Sequence, residues 1–326
     1  MEEKIRRFLN NAQIEYEEHI SMADRTWIHR GPVLPFLIYP KGQPELKEVM
    51  NCLKDAGAQY KLIGHTSNLY FKPSFYADAI VSTRKMTSFH DDGRVITCDS
   101  GVSISKLSEY AVKKGYQGFE GLVGLPGTVG AAVVNNSSCF KCSVSELVDS
   151  VEVLENGELH TLAAGELAFR HRSSSIKSGE RNAIILGVRL LIKKTDDVET
   201  LQKKAKQNIE LRKLTQEGKA NNLGSIFSGY HPKTVSISLL GWTKVIGVVA
   251  FRVREHFFRN DKEYQLKRNR YLFKLFGYNE LAKYVSDKNI NCFVWRDSNA
   301  DLAFDRYLEF MNHYAKCDSL EIEICE

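Results

Sequence analysis

The chain has 326 residues, 43% hydrophobic and 26% charged, with a net charge of +5. That length supplies two domains or three small ones with a proper core. No stretch reaches the roughly 20 apolar residues of a membrane span, and the amino-terminal MEEKIRRFLNNAQ has no signal-peptide core. A cytoplasmic protein is therefore expected, with a basic excess that suits anionic small molecules at least as well as nucleic acid.

In chain order, FLIYP (36–40) reads as a strand ended by proline, and QPELKEVMNCLKDAG (43–57) as an amphipathic helix burying Leu46, Val49, Met50 and Leu53. YKLIG (60–64) is a strand running into the loop HTSN, and DAIVST and RVITCDSG are two more strands. SISKLSEYAVKKG (103–115) is a second amphipathic helix stopped by Gly115. SVEVLENGELHTL carries Asn156-Gly157 between alternating runs, a strong hairpin signal. AIILGVRLLI (183–192) is a buried strand.

The texture changes near Lys193. DDVETLQKKAKQNIELRKL is a highly charged helix expected to lie across the surface and link two domains. The chain closes with a helix over 300–316 and a strand, SLEIEI (319–324). The fold class is α+β, with one domain over 1–194 and a smaller α/β domain over 195–326.

The seven cysteines are an odd number in a non-secreted chain, so reduced thiols are the default. Cys139 and Cys142 form the one CxxC pair. Without a second pair or a nearby histidine, structural or incidental thiols are favoured over a redox or metal role, and no metal is expected.

Two loops share a character. IGHTSN (63–68) leaves a strand through glycine, and GLVGLPGTVGAAVVNNSS (121–138) places Gly121, Gly124, Gly127 and Gly130 three apart. Glycine lets backbone amides crowd around a ligand, and successive exposed amides make an anion nest. Taken by themselves, the loops either cradle phosphate or make tight structural turns. Neither carries a Rossmann or P-loop signature.

With their neighbours, these residues resemble the UDP-N-acetylenolpyruvoylglucosamine reductase (UDP-N-acetylmuramate dehydrogenase) family. GHTSNL (64–69) is similar to that family's G-x-G-S-N-L, and GLPGTVGAAVVNN (124–136) to its G-I-P-G-S-V-G-G-A-V-x-x-N. RTWIHRGP (25–32), ELAFRHRSSS (166–175), GSIF (224–227) and SLEIEI follow in the family's order, with His171 where it has tyrosine. The resemblance implies an FAD-binding domain of the vanillyl-alcohol-oxidase (PCMH) type with two α/β subdomains, followed by a substrate-binding domain. It implies cofactor contacts from Gly64, His65, Thr66, Ser67, Asn68 and Leu69, and from Gly124, Pro126, Gly127, Thr128, Gly130 and Ala131.

The resemblance further implies hydride transfer from NADPH through FAD to an enolpyruvyl nucleotide sugar, a step of peptidoglycan precursor synthesis. Negative charge then builds beside the substrate carboxylate and needs fixed donors. Arg172 is the expected cation, Ser225 the proton donor, and Glu323 the acid lying against the same carboxylate, with its proton retained by the like charge.

Three departures are visible. His65 replaces a glycine, which raises covalent flavin attachment as a minor reading beside ordinary binding. GSIFSGY lacks the Asn-Pro that follows G-S-x-F, and the family's G-L-K-G and G-G-A stretches are replaced by a basic, aromatic segment over 251–278. That segment either binds single-stranded nucleic acid by stacking and charge or forms an amphipathic helix with Arg259, Lys262, Lys267 and Arg270 facing solvent. The interspersed Glu255, Asp261 and Glu263 favour the helix, and no nucleic-acid partner is expected. The rivals to the reductase reading are a flavoprotein of the same fold with another sugar or small-molecule substrate, and a non-catalytic FAD-binding relative.

Overall fold

The computed structural model describes residues 1–218, 221–229, 276–315, 317 and 319–326, and the isolated positions 246, 249, 250, 253, 273 and 274. The charged residues singled out between 251 and 270 lie outside the described residues.

The first layer is a four-stranded sheet in the order β1 (Glu15–Ser21), β2 (Val33–Tyr39), β5 (Ala79–Ser82) and β3 (Tyr60–Ile63). β1 runs antiparallel to β2, while β2, β5 and β3 are parallel. Side-chain alternation along β2 and β5 buries both faces. Phe36, Ile38, Ala79 and Val81 pack under α1 (Glu2–Asn11) and α2 (Gln43–Asp55), against Ile5, Leu9 and the predicted Leu46, Val49, Met50 and Leu53. Leu37, Tyr39 and Ile80 face the opposite side, against Phe71. α1 and β1 were not anticipated, yet Ile5 and Leu9 are fully buried one helical turn apart.

A second, wholly antiparallel sheet follows the order β11 (Glu158–Ala163), β10 (Val148–Glu155), β12 (Ala183–Leu191), β7 (Val95–Asp99) and β6 (Phe89–Asp91). The Asn-Gly signal makes the β10–β11 turn, where Asn156 and Gly157 both have positive φ, at 55° and 90°. α3 (Ile104–Lys113) and the short α4 (Val129–Val134) cover this sheet through Ile104, Leu107, Ala111, Val129 and Val133.

The charged helix forms as α5 (Val198–Thr215), its first turn capped by the Asp197 side chain. Leu201 and Ala205 are buried in the core of the second sheet, and Lys204 Nζ reaches Glu120 Oε1 at 2.6 Å. The helix thus packs on the first part of the chain, so the change of texture near Lys193 is one of composition rather than the edge of a core.

Beyond it lies an aromatic core of Phe293, Trp295, Phe304, Tyr307 and Phe310, with Phe273 and Phe276 packed in. Tyr307 and Phe310 come from α6 (Ala300–Ala315), and Tyr70, from β4 (Leu69–Phe71), joins the same cluster. The closing strand is shorter than expected. Leu320 bridges to Phe227, residues 321–322 bend, and β13 (Glu323–Cys325) pairs in parallel with β4.

Candidate active site

The glycine stretch folds as a loop followed by a helix. Gly124 and Gly127 take φ of 76° and 127°, conformations that disfavour a side chain, and the Thr128 hydroxyl caps α4 by accepting from the Ala131 amide. The two loops meet face to face. A Cβ on Gly64 would sit 2.7 Å from Thr128 Oγ1, and one on Gly127 would sit 3.4 Å from Ser67 Oγ. A Cβ on Gly130 would sit 2.7 Å from the Ser100 side chain, which seats the helix start on the end of β7.

The segment over 25–32 backs this cradle, as the Trp27 amide donates to Thr66 Oγ1 at 2.8 Å. Thr66 has φ of 58°, the left-handed conformation that forms one half of an anion nest. The amides of His65, Ser67 and Thr128 donate to no protein acceptor among the described residues. Burial pushes the His65 imidazole below its ordinary value, and the nearby Arg84 and Lys106 push it the same way. The cradle is therefore glycine-lined, rich in free amides and flanked by cations, all of which fit a dinucleotide pyrophosphate.

α4 connects this cradle to the predicted arginine. At its far end, Asn136 Nδ2 donates to Arg170 O at 2.8 Å, and Ser174 Oγ donates to Val134 O at 2.7 Å. Between those pins Arg170 and Ser173 exchange backbone hydrogen bonds, so His171 and Arg172 form the tip of a tight turn. Arg172 has a positive φ of 56°, a conformation that costs energy in a non-glycine residue and persists where the surroundings enforce it.

Arg172 and the neighbour of Ser225 both contact the last residues of the chain, but at Glu321 and not at Glu323. Its side chain is half exposed and pairs with Lys61 on β3. The carboxylate that meets Arg172 is Glu321, with Oε1 3.0 Å from Arg172 Nε. The bend at 321–322 turns the two glutamates to different neighbours, whereas an unbroken strand would put both on one face.

Glu321 is held through its backbone. Its carbonyl accepts from Asn68 Nδ2 at 3.0 Å and Lys177 Nζ at 3.1 Å, and its amide donates to Ile226 O at 2.8 Å. That last bond sets Ser225, half buried after Gly224, one residue from the glutamate's backbone partner. Burial pushes the Glu321 carboxyl above its ordinary value, against the pull of Arg172, Lys177 and His171. Burial pushes the Lys177 ammonium down, against Glu321 and Glu323 and with the help of Arg172.

Asn68 Nδ2 also lies 3.4 Å from Asn135 Oδ1, so the first loop, α4 and the chain terminus share one joint. The sequence reading missed Glu321, Lys177, Asn135 and Asn136. The two asparagines were visible only as the polar end of the glycine stretch. A cavity of about 470 Å³ opens beside Arg172, walled by residues 138–143 and Glu146. Among the described residues no helix is long and apolar enough to cross a membrane.

Residues 35–163 match the FAD binding domain family. The UDP-N-acetylenolpyruvoylglucosamine reductase of Caldicellulosiruptor bescii is 30% identical over 223 residues, covering 68% of this chain and 70% of that protein. The same-named protein of Caldicellulosiruptor saccharolyticus is 28% identical over 225 residues, covering 69% and 72%. This chain belongs to the UDP-N-acetylenolpyruvoylglucosamine reductase family. The crystal structure of UDP-N-acetylenolpyruvylglucosamine reductase from Thermus caldophilus superposes with a TM-score of 0.66 at 19% identity, covering 96% of this chain and 99% of that one. The α+β architecture with a PCMH-type FAD-binding domain is thus that of the reductase family.

Proposed function

We propose that the chain acts as the FAD-dependent reductase of this family, taking electrons from NADPH and reducing an enolpyruvyl nucleotide sugar to UDP-N-acetylmuramate. Arg172 against Glu321, whose backbone pairs with the neighbour of Ser225 and is joined through Asn68 and Asn135 to the glycine cradle, is the observation that carries this reading.

Gly64 to Leu69 and Gly124 to Ala131 would hold the FAD, with the free amides and the Arg84 and Lys106 charges suited to an anionic diphosphate. When bound, FAD would supply the redox chemistry, carrying reducing equivalents between NADPH and the enolpyruvyl double bond. Arg172 grips the substrate carboxylate, where negative charge develops, and its fixed guanidinium needs no reorganisation as that charge grows. Glu321, rather than Glu323, lies against the same carboxylate as the neutral acid, a state that burial favours. Ser225 delivers the proton to the adjacent carbon. Residues 1–194 with α5 carry the cofactor, and the remainder of 195–326 carries the substrate side. The departures from the family's sequence pattern after Phe227 favour no specific alternative substrate.

The experiment separates the two half-reactions. Ser225→Ala should leave reduction of the bound flavin by NADPH intact and slow its reoxidation by the enolpyruvyl nucleotide sugar by about 10²–10⁴-fold. Equal loss of both halves would reject the assigned role. Wild-type flavin that NADPH reduces but that this substrate fails to reoxidise would reject the reductase reading itself.

A further inference from the structure

Cys139 and Cys142 are direct partners across a two-residue hairpin, β8 (Ser138–Cys139) and β9 (Cys142–Ser143). Phe140 and Lys141 at its tip have φ of 48° and 66°, the primed turn that brings flanking residues face to face. Opposed residues on paired strands have Cβ atoms about 4.5–5.5 Å apart, within a small adjustment of a disulfide's roughly 3.5–4.5 Å.

The two sulfurs have different surroundings. Arg212 of α5 donates from Nη2 to Cys139 Sγ at 3.3 Å, and its guanidinium lies 5.2 Å from the Phe140 ring centre. A cation there stabilises the negative charge that develops on the Cys139 sulfur when it leaves during reduction of the bridge. Cys142 is buried, and that burial pushes its thiol upward. Both cysteines line the cavity that ends at Arg172, so a small oxidant entering it meets them. Most other thiols are placed differently. Burial holds Cys98 and Cys292 up at about 12 and Cys325 up at about 11, whereas Cys52 is half exposed on α2.

We propose that Cys139 and Cys142 form a peroxide-reactive dithiol, with Cys139 the attacking and Cys142 the resolving thiol. Cys139 sulfur attacks one oxygen of hydrogen peroxide, and the O–O bond breaks. The thiol proton leaves with the departing hydroxide as water, giving Cys139–SOH. Cys142 sulfur then attacks the oxidised sulfur, the S–O bond breaks, and a second water leaves. Two thiols and one peroxide become one disulfide and two waters, and an external dithiol reverses the change. The hairpin abuts the glycine loop, since a Cβ on Gly121 would lie 2.3 Å from Cys139 O and 2.9 Å from Cys142 Sγ. Closing the bridge therefore acts on a wall shared by the cavity and the cofactor loop.

The test is thiol chemistry on the full chain and stands apart from turnover. Reduced protein is treated with graded hydrogen peroxide, alkylated and mapped by mass spectrometry. Cys139 and Cys142 should lose their alkyl labels together, in a peptide two hydrogens lighter, at doses that leave Cys52 labelled, and dithiothreitol should restore both. Cys142→Ser should leave a Cys139 sulfenic acid that dimedone traps, and Cys139→Ser should leave Cys142 fully alkylated. Oxidation of Cys52 at the same or lower dose, or over-oxidation of Cys139 with Cys142 still free, would overturn the proposal. The wild-type mapping decides even where a serine variant fails to fold.

Discussion

Arg172 Nε lies 3.0 Å from Glu321 Oε1, although the two residues come from a tight mid-chain turn and from the chain's last bend. Neither is placed by its own element alone. Asn136 and Ser174 pin the arginine's turn to α4, while Asn68 and Lys177 pin the glutamate's carbonyl.

This pairing ranks the two terminal glutamates. Glu321→Gln should slow flavin reoxidation by the enolpyruvyl substrate by about 10²–10⁴-fold, the usual contribution of a positioned acid or base. Glu323→Gln, which removes only a half-exposed partner of Lys61, should stay within about threefold of wild type, as surface ion pairs contribute little. Stopped-flow reoxidation of both variants decides it, and the reverse ranking would return the role to Glu323.

A pH series reads the environment of Glu321 independently of turnover. Burial raises this carboxyl, so the folded state holds its proton more tightly than the unfolded state does. The resulting stability is fully present below the unfolded value and is lost as pH rises through the folded one. Glu321→Gln mimics the protonated form. Its Tm should therefore gain on wild type as pH rises from about 4 to about 7. A constant Tm difference across that range would contradict a raised carboxyl.

The cradle makes a steric prediction. Gly64→Ala places a methyl 2.7 Å from Thr128 Oγ1 and 3.1 Å from Thr128 Cγ2, and forces the two loops apart. Overpacking of this kind costs about 1–3 kcal/mol, which corresponds to roughly 5- to 150-fold weaker FAD binding if it falls on the cofactor site. Titration of apoprotein with FAD, followed by flavin fluorescence, measures it. Unchanged affinity would show that these loops do not close on the cofactor.

The seating of α5 is also testable. Burial pushes the Glu120 carboxyl up, but Lys204 and the Gly118 amide outweigh it and hold the group below its ordinary value. Lys204→Met removes the cation and, because the lysine is half exposed, should cost about 1 kcal/mol at neutral pH, seen as a Tm lower by about 2–4 °C. Stability from a lowered carboxyl is present above its unfolded value and lost as pH falls through the folded one. The deficit should therefore shrink in acid, and a deficit independent of pH would mean that Lys204 acts through packing alone.

Much of this arrangement was legible in the residues. The glycine loops announce themselves because their conformations exclude side chains, and the helices over 43–57 and 103–115 because their apolar residues recur on one face. Glu321 was hidden for the converse reason. The two-residue period of a strand makes Glu321 and Glu323 equivalent, and only a bend in space separates them. Lys177 was hidden because a half-buried lysine and a solvated one read alike. The first helix was overlooked among its charges, although Ile5 and Leu9 stand at helical spacing.

The parallel pairing of β13 with β4 has a consequence for assembly. Three residues at the end of the chain close a loop that encloses nearly everything between them and the first glycine turn, a contact of the slow-forming, non-local kind. Asn68 lies immediately before β4, Glu321 two residues before β13, and one side-chain amide ties them. The tie joins the turn at Asn68 to the backbone of the residue whose carboxylate meets Arg172. Any free-energy coupling that runs through this tie acts equally in both directions.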